Sequence, residues 1–306
     1  MHETSSQTLP RDGSRALRRI WRPARICLLI YLGLCIVFYL LQDWMLFPGR
    51  STQGHRASVI RQSPRGEYEL LHLNTRGGEK IVALFGRAMD EDGRPRTDSA
   101  SRPTILFFYG NGMCLADTFG EFIRFRRMGY NVFIPEYVGY GMSSGKPSET
   151  ALYQTADAAY EHLLTRTDVD ANRIIAAGWS LGAAVAIDTA HRRPVIGLAT
   201  FSAFTSLHDI AHKLFPWLPT SLLVRYKLAN VDKIADVTCP ILIAHGERDE
   251  VVPPAMSDRL QRAAIRSPHV ERLRVETDHN EIFEAQDALF VPFRRFLESL
   301  TPPPAK

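Results

Sequence analysis

The sequence predicts an α/β domain with a mostly parallel central sheet and helices on both faces, preceded by one N-terminal transmembrane helix. The first observation is that short apolar runs alternate with helical patterns along residues 66–300, as in parallel strands buried beneath helices. The second is a stretch of 17 uncharged residues at positions 26–42, directly after an arginine-rich segment. The third is a glycine-flanked serine at residues 178–182, between an apolar run and a helical pattern.

The uncharged stretch predicts a membrane anchor. Seventeen residues lie near the lower limit for crossing a bilayer, and Trp21 and Trp44 stand at its two ends, where interfacial anchors are found. A cleaved signal peptide would need small residues where Trp44, Met45 and Phe47 stand. The stretch is not expected to be a buried helix of a protein core, because an arginine-rich segment directly precedes it. The predicted organisation is a basic tail at 1–25, the anchor at 26–47, a juxtamembrane connector at 48–65, the α/β domain at 66–300 and a loose tail at 301–306.

The charge distribution predicts how the anchor is oriented. Residues 1–25 hold six arginines and two acidic residues, so they account for the whole net charge of +4. Four arginines follow the span, namely Arg50, Arg56, Arg61 and Arg65. The excess before the span favours a cytoplasmic N-terminus and an extracytoplasmic α/β domain. Because the rest of the chain is neutral, no basic face is left for nucleic acid, which is not expected as a partner.

Eight apolar runs predict the strands of the sheet. They cover residues 68–73, 81–85, 104–108, 130–134, 173–178, 195–201, 240–245 and 270–276. Helical patterns follow at residues 115–128, 149–164, 181–191, 254–265 and 281–300. This order of elements predicts parallel strands joined by helices across the sheet.

The segment at residues 203–235, here named the cap segment, interrupts this alternation. Its apolar residues follow one predicted strand and precede the next, so it can lie over the carboxyl ends of the strands. One interpretation is an ordinary crossover helix with its apolar face buried. The other is a small cap that provides an apolar wall above the serine.

Ser180 lies at the centre of the motif Gly178-Trp179-Ser180-Leu181-Gly182. A predicted strand ends before it and a predicted helix begins after it, which is the setting of a nucleophile elbow. The two glycines leave room for a strained serine backbone. The start of the helix directs free N–H groups at whatever the serine attacks. The motif predicts Ser180 as a nucleophile.

A serine hydroxyl at neutral pH needs an imidazole to take its proton and a carboxylate to orient that imidazole. In elbow-type hydrolases the acid and then the histidine follow the serine, on loops after later strands. His279 follows the last predicted strand, and Asp249 follows the strand before it. Glu247 and Glu250 are rival acids. Asp278 lies too close to the histidine in sequence to orient it and is interpreted as a loop residue.

Two backbone N–H groups are needed to hold the oxyanion of an acyl-transfer reaction. Leu181, directly after the serine, supplies one of them. Asn111, in the turn after the third predicted strand, is expected to supply the other, with Gly112 as the rival. The chain has no paired C-x-x-C or P-loop pattern, and neither a metal nor a cofactor is expected.

Together these motifs resemble the serine hydrolases of the alpha/beta-hydrolase fold, and more narrowly the Bem46-like, membrane-anchored alpha/beta-hydrolase domain-containing proteins. The resemblance covers roughly residues 40–298 and rests on residues 42–48, 109–112, 139–149, 178–182, 239–253 and 279–280. It implies Ser180 as nucleophile, Asp249 as acid and His279 as base. Tyr109 stands where the family has a histidine, and Val138 where it has an arginine before Gly-Tyr-Gly.

The resulting prediction is a membrane-anchored serine hydrolase that cleaves carboxylic ester or thioester bonds through an acyl-enzyme intermediate. Its expected partners are an acyl ester or thioester substrate, with lipids among the candidates, and the membrane that holds the anchor. Two alternatives stay open. One is a serine peptidase with the same three residues, and the other is a non-catalytic, membrane-tethered binding protein on a hydrolase scaffold.

Overall fold

A computed structural model describes the backbone of residues 13–300 and the side chains of residues 21–300. The first twelve residues of the predicted basic tail, and the predicted loose tail at 301–306, lie outside the described residues. All eight predicted strands are present, each within two residues of its predicted bounds.

The N-terminal helix, α1 (Gly13–Leu46), begins well before the predicted anchor. Its stretch Trp21–Leu46 has 26 residues and a mean hydropathy of 2.4 in its most apolar window. It is the one helix in the described part of the chain that is long and apolar enough to cross a membrane. At 1.5 Å per residue it measures about 39 Å, against a hydrocarbon core of about 30 Å. Length and composition therefore suit a membrane anchor or a signal sequence.

One stripe of α1 packs against the rest of the protein. Tyr31, Cys35, Phe38, Gln42 and Leu46 are less exposed than most of their neighbours. They recur every three or four residues, the spacing that places side chains on one face of a helix. The other faces of α1 are apolar and exposed.

The central sheet has eight strands in the order β1-β2-β4-β3-β5-β6-β7-β8. They are β1 (Glu69–Asn74), β2 (Lys80–Gly86), β3 (Thr104–Phe108), β4 (Asn131–Pro135), β5 (Ile174–Trp179), β6 (Gly197–Phe201), β7 (Ile241–Gly246) and β8 (Val270–Val275). The pairs β1–β2 and β2–β4 are antiparallel, and the other neighbours are parallel. Because the carboxyl ends of parallel strands meet at one edge, the loops after β3, β5, β7 and β8 converge there.

Helices cover both faces of the sheet. They are α2 (Phe119–Arg127), α3 (Glu149–Thr165), α4 (Leu181–Arg192), α5 (Leu207–Leu214), α6 (Thr220–Leu223), α7 (Asn230–Ile234), α8 (Pro254–Ala263) and α9 (Asp287–Ser299). On one face α2 packs on α9, where the rings of Phe125 and Phe293 lie 5.7 Å apart. On the other face α3 and α4 are joined by an ion pair between Asp157 and Arg192. The central strands are therefore buried almost throughout.

Three elements differ from their predicted form. The helix predicted at residues 115–128 begins as a 3-10 helix over Leu115–Thr118, and α2 itself starts at Phe119. The last helix begins at Asp287 rather than near residue 281, because Ile282–Glu284 forms a 3-10 turn and Gln286 has a φ of 45°. The cap segment contains the three short helices α5, α6 and α7 rather than one crossover helix. Pro216 and Pro219 lie between α5 and α6, where a proline cannot continue a helix.

Candidate active site

Ser180 lies on a sharp turn between β5 and α4. Its backbone has φ 53° and ψ −113°, a conformation that residues with a Cβ rarely adopt. A Cβ at Gly178 would collide with the Gly182 carbonyl, and a Cβ at Gly182 would collide with the Phe108 carbonyl. The glycines thus permit a turn that presents the serine hydroxyl at the N-terminal end of α4, where the helix dipole is positive.

The variant Gly182→Ala is expected to lose about 1–3 kcal/mol of stability, because the added methyl group must displace the backbone of β3 or α4. Urea unfolding of the full chain in detergent measures this loss. The control is Gly120→Ala in α2, where a Cβ has no heavy atom within 4 Å. That change should leave stability equal or slightly higher, since alanine is the better helix former. Equal stability of Gly182→Ala and the wild type would contradict the tight turn.

The residues predicted as nucleophile, base and acid form one hydrogen-bonded series. His279 Nε2 lies 2.9 Å from Ser180 Oγ, and His279 Nδ1 lies 2.7 Å from Asp249 Oδ2. Ser180 follows β5, His279 follows β8 and Asp249 follows β7. These three strands lie within the four neighbouring parallel strands β5-β6-β7-β8. In this geometry an imidazole can take the serine proton while a carboxylate orients the ring.

Asp249 is buried and its two oxygens are fully engaged. Oδ1 accepts the Val252 N–H at 2.7 Å, and Oδ2 lies 3.2 Å from His245 Nε2 as well as close to His279. Burial alone would raise the pKa of Asp249, but hydrogen bonds from His245, His279 and the Val252 N–H hold that pKa well below its ordinary value. The carboxylate therefore stays ionised at neutral pH.

His245 is a site residue whose contact with Asp249 the sequence did not indicate. The sequence predicts that this histidine, at the end of β7, packs or hydrogen-bonds locally. In the structure its Nε2 also lies 2.9 Å from the Val252 carbonyl, and its Nδ1 contacts Ser257 Oγ. The one signal of this contact in the sequence is that His245 lies four residues before Asp249. That spacing indicates a contact only once it is known that β7 ends at Gly246, between the two residues.

The rival acids do not reach the imidazole. Glu247 and Glu250 are exposed on the loop after β7. Asp278 Oδ1 accepts the N–H groups of Asn280 and Glu281 at 2.8 and 2.9 Å, which is the loop role predicted for it. Within residues 21–300, no group of three or more His, Cys, Asp or Glu side chains is placed to hold a metal ion.

Two backbone N–H groups near the candidate nucleophile lack an internal acceptor. Among residues 13–300, neither the Leu181 N–H nor the Asn111 N–H donates to a protein atom. The rival Gly112 N–H donates to Asn111 Oδ1 at 3.0 Å. The Asn111 side chain is held by the Leu46 carbonyl at the end of α1 and by the Tyr140 hydroxyl, at 2.6 and 3.1 Å. This arrangement favours Asn111 over Gly112 as the second oxyanion donor.

Tyr109 begins the turn that carries Asn111, in place of the histidine that the family resemblance implies. Its hydroxyl donates to the Glu136 carboxylate at 2.5 Å, and its carbonyl accepts from the Tyr137 hydroxyl at 2.8 Å. Glu136 also accepts the Leu115 N–H at 2.8 Å. The phenol ring is buried and ties the turn after β3 to the end of β4, so the turn stays anchored without the histidine.

Glu136 is expected to make stability depend on pH. Burial raises the pKa of Glu136 to about 7, against an ordinary value of 4.5. The folded protein keeps a proton that the unfolded chain releases between these pH values. The free energy of unfolding therefore falls as pH rises through the interval, by about 3 kcal/mol. Glu136→Gln removes this contribution. Urea unfolding of the wild type and Glu136→Gln, below and above this pH interval, measures the difference. If the free energy of unfolding changed equally with pH in both proteins, the shifted pKa would be contradicted.

An apolar cavity of about 330 Å³ opens beside Ser180, near the lower end of the roughly 300–1,000 Å³ of small-molecule sites. Its walls come mostly from the cap segment and α1. They include Phe38, Gln42, Met45 and Leu46 of α1, and Leu207, Ile210, Ala211, Leu214, Phe215, Leu218, Leu223 and Val224 of the cap segment. This placement favours the cap over the crossover helix as the interpretation of residues 203–235. The contribution of α1 was not predicted, because an apolar stripe that faces protein has the same composition as one that faces lipid.

Comparison with known proteins identifies the family. The chain is 37% identical over 246 residues to alpha/beta hydrolase domain-containing protein 17C of Bos taurus, which covers 77% of this chain and 70% of that protein. The chain belongs to the alpha/beta-hydrolase domain-containing family. A second alpha/beta-hydrolase of this family, WAV2 of Arabidopsis thaliana, is 34% identical over 219 residues, 66% of this chain and 68% of that protein. The resemblance seen in the motifs is confirmed.

Other matches agree with an alpha/beta-hydrolase. The Dienelactone hydrolase family model matches residues 123–273. An uncharacterized protein of Mycobacterium tuberculosis is 38% identical over 170 residues, 56% of this chain, and the chain spans only 60% of that relative's length. Membership in the alpha/beta-hydrolase family supports hydrolase activity.

Solved structures share the alpha/beta-hydrolase fold. An esterase of Pyrococcus furiosus superposes with a TM-score of 0.60 at 17% identity, over 79% of this chain and 97% of that chain. A puromycin hydrolase superposes with a TM-score of 0.58 at 16% identity, over 76% of this chain and 39% of that chain. At these identities the likeness concerns the fold alone.

Proposed function

We propose that this alpha/beta-hydrolase is a membrane-anchored serine hydrolase that cleaves carboxylic ester or thioester bonds through an acyl-enzyme. The observation that carries the proposal is the hydrogen-bonded series of Ser180, His279 and Asp249 beside an apolar cavity. A hydroxyl, an imidazole and a buried carboxylate in this order are what acyl transfer to a serine requires.

In the first half of the proposed reaction, Ser180 becomes acylated. Ser180 Oγ forms a bond to the acyl carbon as its proton passes to His279 Nε2. The carbonyl oxygen gains negative charge and is held by the N–H groups of Leu181 and Asn111. As the tetrahedral intermediate collapses, the bond to the leaving oxygen or sulfur breaks, and the imidazolium gives its proton to the leaving group. Asp249 stabilises the imidazolium throughout.

In the second half, water releases the acyl group. A water molecule loses a proton to His279 Nε2 and forms a bond to the acyl carbon, again with the oxyanion held by the two backbone N–H groups. The bond between the acyl carbon and Ser180 Oγ then breaks, and Oγ recovers its proton from the imidazolium. The products are a carboxylic acid and an alcohol or thiol, and no oxidant or reductant is needed.

The N-terminal helix serves in this proposal as an uncleaved anchor. Large residues stand where a signal peptidase would need small ones, and the helix end is bonded to the cap segment. Gln42 Nε2 donates to the Leu223 carbonyl at 2.9 Å, and the Tyr226 hydroxyl donates to Asp43 Oδ1 at 2.8 Å. The excess of arginines before the span favours a cytoplasmic N-terminus, with the hydrolase domain on the other side of the membrane.

Turnover of matched substrates tests the proposed reaction. The full chain in detergent receives a p-nitrophenyl ester, a thioester and an aminoacyl anilide. We expect hydrolysis of the ester and the thioester, because the cavity offers apolar contacts to an acyl group and its lining residues carry no charge. Hydrolysis of the anilide alone would indicate a peptidase. A folded protein that turns over none of the three would indicate a binding protein, and either result contradicts the proposal.

A further inference from the structure

The cap segment contains an uncharged run, residues 214–224, here named the apolar cap run. It lies between Lys213 and Arg225. Within it Leu222 is 83% exposed and Trp217 is 50% exposed. Proteins surrounded only by water rarely expose contiguous apolar side chains of this size, which more often mark a contact with another protein or a membrane.

The apolar cap run lies along α1. The Tyr31 hydroxyl donates to the Trp217 carbonyl at 3.0 Å. Farther along the helix, Gln42 Nε2 donates to the Leu223 carbonyl at 2.9 Å. The run therefore follows α1 over about three turns, from near its C-terminal end toward its middle.

These contacts place the apolar cap run at the depth of the bilayer. A hydrocarbon core of about 30 Å takes about 20 helical residues. The charged residues Arg25 and Asp43 must both stay outside that core, which leaves the 17 uncharged residues 26–42 for the span. A span between these limits begins before Tyr31 and contains it. Because the Trp217 carbonyl is bonded to Tyr31, the apolar cap run shares that depth.

The backbone of the apolar cap run suits a nonpolar environment. An unpaired backbone N–H is costly in hydrocarbon. Pro216 and Pro219 have no N–H at all. Most other residues of the run donate their N–H to carbonyls within it or just before it, namely Phe215, Leu218, Thr220, Leu222, Leu223 and Val224. The carbonyls of Trp217 and Leu223 accept hydrogen bonds from side chains of α1.

We propose that the apolar cap run is immersed in the bilayer beside the anchor, and that the cavity between them takes a long unbranched acyl chain directly from the lipid phase. The cavity is bounded by Phe38 and Met45 of α1 and by Phe215 and Leu218 of the run, and it reaches Ser180. This inference rests on the proposed function, since Ser180 cleaves the bond that such a chain carries. The substrate class is esters or thioesters whose acyl chain resides in the membrane.

Photo-crosslinking in phosphatidylcholine vesicles tests the immersion. p-Benzoylphenylalanine replaces Leu222 in the full chain, and irradiation is expected to attach the protein to phospholipid. The control carries the same group in place of Ile265, which is 79% exposed. Ile265 lies between α8 and the amino end of β8, whereas Ser180 lies at the carboxyl ends of the strands. Lipid adducts at position 222 and not at 265 support the inference. No adduct at 222, or equal yields at both positions, overturns it.

Chain-length selectivity in the same vesicles tests the acyl site. The quantity measured is the ratio of p-nitrophenyl palmitate hydrolysis to p-nitrophenyl acetate hydrolysis. Met45→Trp fills part of the cavity and is expected to lower this ratio at least about tenfold, the discrimination that one methylene group carries in an apolar pocket. Leu40→Trp is the control, because Leu40 is 67% exposed and lies outside the cavity. An unchanged ratio in Met45→Trp overturns the acyl site.

The two experiments separate this inference from the proposed function. Lipid adducts at position 222, with a wild type that hydrolyses neither ester, would overturn the hydrolase and the acyl site but support the immersion. Hydrolysis of both esters without adducts, and with the same ratio in both tryptophan variants, would overturn the inference and leave the hydrolase intact.

Discussion

Ser180→Ala is expected to lower ester turnover about 10⁶-fold, the loss seen when the nucleophile of a comparable serine hydrolase is removed. The variant lacks the hydroxyl that lies 2.9 Å from His279 Nε2, so the histidine has no nucleophile to activate. The residual rate comes from substrate binding and the two oxyanion N–H groups. Initial rates on a short p-nitrophenyl ester, with the full chain in detergent, measure the loss.

A surface serine provides the control for this variant. Ser101 is exposed, and its hydroxyl donates to the Asp98 carbonyl. Ser101→Ala is expected to keep the wild-type rate. If Ser180→Ala kept a rate within about tenfold of the wild type, the attack would come from elsewhere and the proposed mechanism would be wrong.

Asp249→Asn is expected to lower turnover about 10⁴-fold with little change in structure. The Val252 N–H donates to Oδ1 at 2.7 Å, so the amide oxygen of the variant takes that position and the amide N–H₂ faces His279. The ring nitrogen Nδ1 must then accept a hydrogen bond, which puts the imidazole proton on Nε2. In that tautomer Nε2 cannot take the proton of Ser180.

The neighbouring acid offers a matched control for the loss at Asp249. Asp278 precedes the histidine, but its Oδ1 only accepts two backbone N–H groups of its own loop. An asparagine oxygen accepts the same bonds, so Asp278→Asn should keep a rate close to the wild type. Rates on the short ester measure both variants. Equal losses in the two would mean that loop structure, and not the imidazole tautomer, determines the rate.

The fold was predictable because its signals are local. Each strand is a short apolar run, and the turn at Ser180 requires glycines that the sequence displays at positions 178 and 182. Asp249 and His279 were predictable from their order after Ser180 and from the family resemblance, and the structure brings all three side chains together. A helix boundary was less predictable, because residues 281–286 before α9 contain no glycine or proline to mark where the helix begins.

The features that were not predicted depend on contacts between distant positions. Tyr109 and Glu136 are 27 residues apart, and no spacing rule links them. His245 contacts Asp249 only because β7 ends between the two residues. α1 forms part of the cavity wall because one of its apolar stripes faces the cap segment. Hydropathy alone does not distinguish a stripe that contacts protein from one that contacts lipid.

The most direct test of the central claim is to locate a covalent adduct after reaction with a fluorophosphonate. The full chain in detergent is labelled, digested and analysed by peptide mass spectrometry. We expect one adduct on Ser180 in the wild type and none in Ser180→Ala, because the phosphonyl group reacts with the serine that His279 activates. An adduct on a different residue, or equal labelling of Ser180→Ala and the wild type, would contradict it.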